Sequence, residues 1–490
     1  MEVFFNMVDK VNKAVNDFVW GPPMLVFLVG IGIFVTIGTG FFQVSHFGLW
    51  MKKTFLAIFS NKTVRDKKDP HAISQFQSLT TALAGTIGTG NIVGVATAIV
   101  SGGPGAVFWM WVSAFFGMMT NYTENVLGIL FRYKNNKGQW MGGPMVYLER
   151  GLHCKPLAVL FAIFATLASF GIGNMTQANG ISTAISGALR FTGIDAWYLK
   201  AGVGVGIMLL AALVILGGIK RIAAVTEKIV PFMALAYLAG GIYIIAVNGT
   251  HIPAAFGSIF TNAFSFEAVG GGIFGYVIMN AMRYGVARGV FSNEAGLGSS
   301  VMVHSASNVK EPVVQGMWGV FEVFADTLIV CTITALSILC TGVVDMHTGV
   351  NADGLKGASL AQAAFAHGFG SFGSIFIAVA ITLFAFSTIL GWSYYGERAV
   401  EYLFGTKYLW IYKVLFIGLI VVGCTASLDL VWNISDTFNG LMAIPNLIGV
   451  AGLSGLVFKA TKDYLQRHLD DPDAEEMERK AADFMQQKVK

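Results

Sequence analysis

"AGTIGTGNIVGVATAIVSGGPGAV", residues 84–107, lies inside a run apolar enough to cross a membrane. It nevertheless carries Gly85, Gly88, Gly90 and Gly94 and places Asn91 at a depth where lipid offers no hydrogen bonds. Non-helical backbone is tolerated at that depth only where protein or a water-filled cavity serves its polar groups. Gly88-Thr89-Gly90 can leave the helix at low steric cost, because glycine accepts conformations that other residues avoid. A break there frees donors and acceptors together. The half-helix beginning near Asn91 would aim its N–H groups and positive dipole end at an anion such as a carboxylate, while the half-helix ending near Ile87 would offer carbonyls to a cation. The competing explanation is packing, since Gly90-x-x-x-Gly94 has the spacing that lets two spanning helices approach closely.

The rest of the chain agrees with a membrane setting. Of its 490 residues, 55% are hydrophobic and 12% charged, and the mean hydropathy is +0.65; an average soluble domain carries roughly 25% charge. The net charge of +4 is small and its basic residues sit in short loops, so no nucleic-acid surface is expected. Cys331, Cys340 and Cys424 fall in apolar runs and Cys154 in a short loop, without ligand-like spacing, which points to packing and away from a metal or redox site. The first 23 residues have no basic start and no small-residue cleavage pattern, so no signal peptide is read there. Phe4, Val8, Val11 and Val15 recur at helical intervals, which predicts an amphipathic helix along the membrane surface over residues 1–20.

A window of about 20 apolar residues gives eleven spans, near 24–45, 79–101, 104–131, 156–188, 199–217, 229–248, 268–290, 316–342, 371–395, 409–428 and 431–458. Alternate loops then hold 26 Lys and Arg on one side and five on the other, with Lys413 inside a span. The crowded side is expected to be cytoplasmic, which puts the N-terminus outside and the charged, helix-prone tail, 459–490, inside the cell as a solvated appendage. Residues 21–78 form the extra first span and a basic loop. The ten remaining spans divide into 79–248 and 268–458. Five is odd, so the second group enters from the opposite side, and any repeat is inverted, the arrangement that builds a transporter's site at the repeat interface. The fold expected is all-α and polytopic, with a broken first helix in each repeat.

Polar residues inside the spans are the candidates for function. Ser387 and Thr388, adjacent in "LFAFSTILGWSYYGERA", supply the oxygens that a hard cation prefers without a fixed charge, although such hydroxyls also bond back to their own helix. Asn174 and Gln177 share a helix face and suit either ligand contact or helix–helix hydrogen bonding. Glu124 beside Asn121, and Glu322 one turn before Asp326, are intramembrane carboxylates and functional candidates by default. Glu322 and Asp326 suit a proton relay, a cation site, or ion pairs with Arg283 and Arg288. Trp392, one turn after Thr388, is either a pocket wall or an interfacial anchor. His304 falls in a predicted loop, with no role assigned. No phosphate loop, HExxH pair or GxSxG elbow is present, so no enzyme is expected and the driving energy must come from an ion gradient.

"TTALAGTIGTGNIVGVATAI" (80–99), "GGPGAVFWMWVSAFFGMMTNYTENVLG" (102–128), "GGPMVYLERGL" (142–152) and "ARGVFSNEAGLGSS" (287–300) resemble the signature segments of the alanine or glycine:cation symporter family, the bacterial and archaeal sodium:alanine symporters. The likeness runs from about residue 20 to 458. It implies eleven spans, the leucine-transporter fold, and co-transport of small neutral amino acids, chiefly alanine and glycine and in some members glutamine, with sodium in the plasma (inner) membrane. By that resemblance the carbonyls of Ala84 and Ile87, with Ser387 and Thr388, look like the sodium site. Gly88, Thr89, Gly90 and Asn91 look like the binders of the substrate carboxylate. Gln177 and Trp392, with Phe170, look like pocket-lining groups. For the second broken helix, Phe274, Gly275, Met279 and Asn280 are all open as positions of the break, with Phe274 and Met279 the substrate-side candidates.

The expectation is therefore a sodium-coupled symporter of alanine or glycine working by alternating access in a lipid bilayer. A proton-coupled or glutamine-preferring transporter on the same fold is the alternative. A receptor or scaffold acting through the tail is the rival from another class.

Overall fold

A computed structural model of the chain describes residues 2–67, 69, 71–190, 193–264, 274–425 and 428–470, the side chains of 2–9, 193–194, 274–278, 428–434 and 468–470 excepted. Helix α1 is Glu2–Val19 and α2 is Pro22–Gly38. The latter stops short of the expected residue 45, because Gly40 and Phe41 take left-handed backbone (φ 66° and 54°) and turn the chain into short helices over 42–60. The first span of the first repeat is two pieces, α3 Gln75–Thr86 and α4 Val93–Gly102. Then come α5 Gly105–Phe131, a two-residue hairpin pairing Tyr133 with Met141, and the connecting helix α6 Pro144–Arg150. After these follow α7 Lys155–Leu189, α8 Gly193–Ile215, α9 Gly218–Val247 and the short α10 Ile252–Ala263. The second repeat is α11 Phe274–Asn293, α12 Pro312–Cys340, the connecting helix α13 Gly357–Phe369, α14 Ser371–Phe404, α15 Leu409–Thr425 and α16 Leu428–Asp470.

Eight of the described helices are long and apolar enough to cross a membrane by themselves. The other three expected spans are α3 with α4, α5 and α11, each diluted by the glycines or polar residues that mark it in the sequence. Equivalent helices of the two groups pack on each other: α4 on α11, α5 on α12, α7 on α14 and α8 on α15. Each group also places a connecting helix, α6 or α13, between its second and third spans. Two π-helical turns interrupt the long helices, Gly171–Met175 in α7 and Phe324–Cys331 in α12; such turns often occur at functional sites. The charged tail is partly built into the body: α16 runs to Asp470, Tyr464 is buried, and Arg467 reaches Glu311 at 3.1 Å.

α3 starts at a capping box, in which the Ser74 hydroxyl accepts from Gln77 N (3.1 Å) and the Gln77 side chain accepts from Ser74 N (3.2 Å). Its other end is the expected interruption, residues 87–92, with one 3₁₀ turn at Thr89–Asn91. In the second repeat, α11 is continuous from Phe274 to Asn293, so Met279 and Asn280 are helical. The chain just before Phe274 lies outside the described residues, as do the side chains of Phe274 and Gly275.

Candidate functional site

Three elements hold the break in α3–α4 open. The first is α14. A Cβ on Gly391 would lie 2.9 Å from Gly85 N, so the two helices touch backbone to backbone at a pair of glycines. One turn earlier, this approach carries the Thr388 hydroxyl to the Ala84 carbonyl, to which it donates at 2.9 Å. In an unbroken helix that carbonyl would accept from Gly88 N; here Gly88 N donates to the Asn91 side chain at 2.9 Å. The break thus releases Ala84 O, and Thr388 is the group that meets it. Ser387 is also buried, but its hydroxyl donates back to Phe384 O at 2.8 Å and lies 3.6 Å from Met233 Sδ.

The second element is α7, immediately after its π turn. Gln177 Oε1 accepts from Thr89 N at 3.1 Å, and its Nε2 donates to Ile172 O at 2.9 Å. Gly180 leaves room for Thr89, whose methyl would be 2.6 Å from a Cβ there. Asn174, one turn earlier, instead donates to Phe416 O on α15, so of these two amides only Gln177 addresses the break. Phe170 has its ring contacts with Tyr412 and Phe416 of α15.

The third element is the junction of α11 with α12. Asn91 Nδ2 donates to Asp326 at 2.7 Å, and Asp326 also accepts from Ser292 Oγ (2.8 Å) and Thr327 Oγ1 (2.7 Å). Gly90 backs onto the end of α11, where a Cβ would lie 3.1 Å from the Phe291 ring and 3.2 Å from Ser292 Cα. A Cβ on Gly94 would meet nothing within 4 Å among the described residues, so the close helix approach offered as the competing explanation is not made at Gly94; close approaches occur at Gly85 and Gly90. We expect Gly90→Ala to weaken alanine binding by about tenfold, or ~1.4 kcal/mol, as a calorimetric titration in saturating sodium would read; unchanged affinity would mean that α11 yields without disturbing the break.

Trp392 is buried, and its indole N–H donates to Glu294 at 2.6 Å. Met279 is 48% exposed. Glu294 belongs to the signature segment 287–300, which ends α11 and then makes a tight turn with left-handed backbone at Glu294 (φ 59°), Gly296 (φ 90°) and Gly298 (φ 73°). Glu124 accepts from Gly296 N at 3.1 Å and from Asn446 at 2.5 Å, fastening that turn to α5 and α16. Of the alternatives open for Glu322 and Asp326, no ion pair with Arg283 or Arg288 is found among the described residues. Arg283 bonds Asp17 at 2.8 Å and Arg288 bonds Asp436 at 2.9 Å.

Glu322 meets His304 Nε2 at 2.8 Å, and the other ring nitrogen of His304 faces Gln315 and Ser78. A residue read from sequence as an idle loop histidine is therefore fully buried and joins α3 to α12.

Two groups of five helices packed pairwise around a buried helix break, faced by a hydroxyl, a carboxamide and a carboxylate, make the architecture of a polytopic membrane transporter. The structure of MhsT in complex with L-phenylalanine is similar in fold, with a TM-score of 0.54 over 80% of this chain and 99% of that one at 12% identity.

Residues 5–479 match the model of the sodium:alanine symporter family, and the chain belongs to that family. It is 47% identical to the sodium/alanine symporter AgcS of Methanococcus maripaludis, over 94% of this chain and 97% of the relative. It is 38% identical to the probable sodium/glutamine symporter GlnT of Bacillus subtilis, over 94% and 91%. Membership makes the chain a multi-pass amino-acid transporter of the sodium:alanine symporter family.

Proposed function

We propose that the protein moves alanine or glycine together with sodium across the plasma membrane, with both bound at the break between α3 and α4. The observation that carries this reading is the Thr388 hydroxyl on the released Ala84 carbonyl. The carbonyls of Ala84 and Ile87 with the hydroxyls of Thr388 and Ser387 are a set of neutral oxygens suited to a hard monovalent cation. In the sodium-loaded state Thr388 would offer a lone pair to the ion from the place its hydroxyl oxygen already occupies beside Ala84 O.

The substrate carboxylate is assigned to the N–H groups of Gly90 and the first turn of α4, where the dipole favours an anion. Gly88 N and Thr89 N are held by Asn91 and Gln177 and so shape the cradle rather than fill it. Trp392, anchored by Glu294, is assigned the wall that limits side-chain size, with Phe170 and Met279 as outer lining; the side chain of the other candidate, Phe274, lies outside the described residues. The N-terminus is placed outside and the tail in the cytoplasm by the basic loops.

A proton-coupled reading has one observation in its favour: Asp326 is a buried carboxylate hydrogen-bonded to Asn91 inside the break. Uptake of labelled alanine into proteoliposomes under an inward sodium gradient or an inward proton gradient separates the two. Uptake driven by sodium alone, competed by glycine and not by glutamine, is the expected result. Uptake driven by protons alone would move the coupling to Asp326.

A further inference from the structure

On the outer flank of α3, reaching the start of the break at Ile87, an apolar groove of about 380 Å³ runs between α3, α9 and the middle of α12. Phe55 and Phe59 of the short helices over 42–60 form part of its rim. Among the described residues lining it only Arg65 and Thr80 are polar, and the Thr80 hydroxyl already donates to Gln77 O at 3.3 Å. The wall has nothing with which to bind a polar ligand. Phe59 is 75% exposed and Leu235 68%, so the groove opens on a face that meets lipid. One of its lining residues is Ile87, whose side chain is buried there while its carbonyl is assigned to sodium.

The shape and charge of the groove choose among occupants. A helix about 10 Å across would occupy this volume with roughly one turn, too little for a stable docking. A single hydrocarbon chain fits and needs no hydrogen bonds. A groove open to hydrocarbon gains little from being apolar, because lipid tails are as apolar as leucine; selection must come from its polar rim. There the exposed Arg65 guanidinium lies 4.9 Å above the Phe76 ring, in the loop 46–78 that carries six Lys and Arg. Basic groups at the cytoplasmic surface attract anionic headgroups.

We propose that this groove holds one acyl chain of an anionic phospholipid, with Arg65 on its phosphate, and that the chain braces α3 just before the break. The bracing rests on the sodium site proposed above; the lipid site does not.

The test is photo-cross-linking of the full-length protein in bilayers containing phosphatidylglycerol with a diazirine in one acyl chain, followed by peptide mapping. Adducts should concentrate on the segments 76–87 and 321–330. Unlabelled phosphatidylglycerol should compete, and phosphatidylcholine should not. Arg65→Ala should lower the yield about fivefold, the factor one basic side chain supplies at an anionic surface. Ala325→Trp, which fills the groove, should remove the adducts; Ala234→Phe from the facing helix repeats that test if the first variant is poorly folded. Adducts spread evenly over all lipid-facing helices, or equal labelling with and without Arg65, would overturn the site. Bracing is read separately, as a rise in the sodium concentration for half-maximal uptake when phosphatidylglycerol is withdrawn. No change in that value alongside intact cross-linking would overturn the bracing and leave the lipid site standing.

Discussion

Gly88→Ala will abolish sodium-driven alanine uptake while the protein remains folded in the membrane. The added Cβ would lie 2.4 Å from Thr388 Oγ1 and 3.1 Å from Gln177 Oε1. The backbone at Gly88 (φ −131°, ψ −151°) is open to alanine, so the penalty is contact and not conformational strain. Thr388 cannot easily step aside. It is buried and β-branched, with restricted χ1, and its hydroxyl is held by both Ala84 O (2.9 Å) and Phe384 O (3.1 Å). The collision therefore opens the seam between α3 and α14 at the Thr388–Ala84 contact proposed to hold sodium. A loss of more than about a hundredfold in uptake at fixed sodium is expected, equivalent to more than ~2.7 kcal/mol. A cycle with Thr388→Ala supplies the control. The double variant relieves the clash but lacks the ligand, so its thermal stability should return to that of Thr388→Ala alone without recovery of sodium dependence. Normal uptake by Gly88→Ala would show that the break accommodates a side chain and that its glycine serves another purpose.

The break was legible in the sequence because it is a local event: two glycines and an asparagine in an apolar run conflict with a continuous span, and only a release of the backbone resolves the conflict. The Thr388 hydroxyl was legible for a similar reason, at a depth where lipid offers no partner, whereas spacing could not tell that Ser387 beside it bonds back to its own helix. What was not legible depends on contacts between residues far apart in the chain. Gly85 and Gly391 form a close helix crossing of the kind that the Gly90-x-x-x-Gly94 spacing only offered as an alternative. Arg283 and Arg288 find Asp17 and Asp436, not the carboxylates of α12. His304 looked idle because Ser78, Gln315 and Glu322, which surround it, lie on two other helices. The signature segment 287–300 was recognisable without being interpretable: its glycines serve a left-handed turn, and its carboxylate, Glu294, orients Trp392. Gln177 and Asn174 had the same standing from spacing alone, and only the direction of each amide separates a contact to the break from one to α15.

The two hydroxyls assigned to sodium are expected to contribute unequally. Thr388 donates to a carbonyl that the break has freed, so its oxygen already stands at the position where the ion would bridge α3 and α14. Ser387 Oγ is turned to its own helix and to Met233. To reach sodium it must give up its bond to Phe384 O, and a hydrogen bond of this kind contributes about 1 kcal/mol net. Thr388→Ala should therefore raise the sodium concentration for half-maximal uptake by about tenfold or more, and Ser387→Ala by only about two- to threefold, the ratio set by that ~1 kcal/mol difference. Thr388→Ser keeps the oxygen and loses only a methyl, so it should stay close to the parent, whereas Thr388→Val keeps the shape without the oxygen and should behave as alanine does. The serine–valine pair separates ligation from packing, which alanine alone cannot do. Equal and small effects at both positions would move the cation away from α14, and the remaining oxygens at the break, those of Asn91, Ser292 and Asp326, would then be the place to look for it.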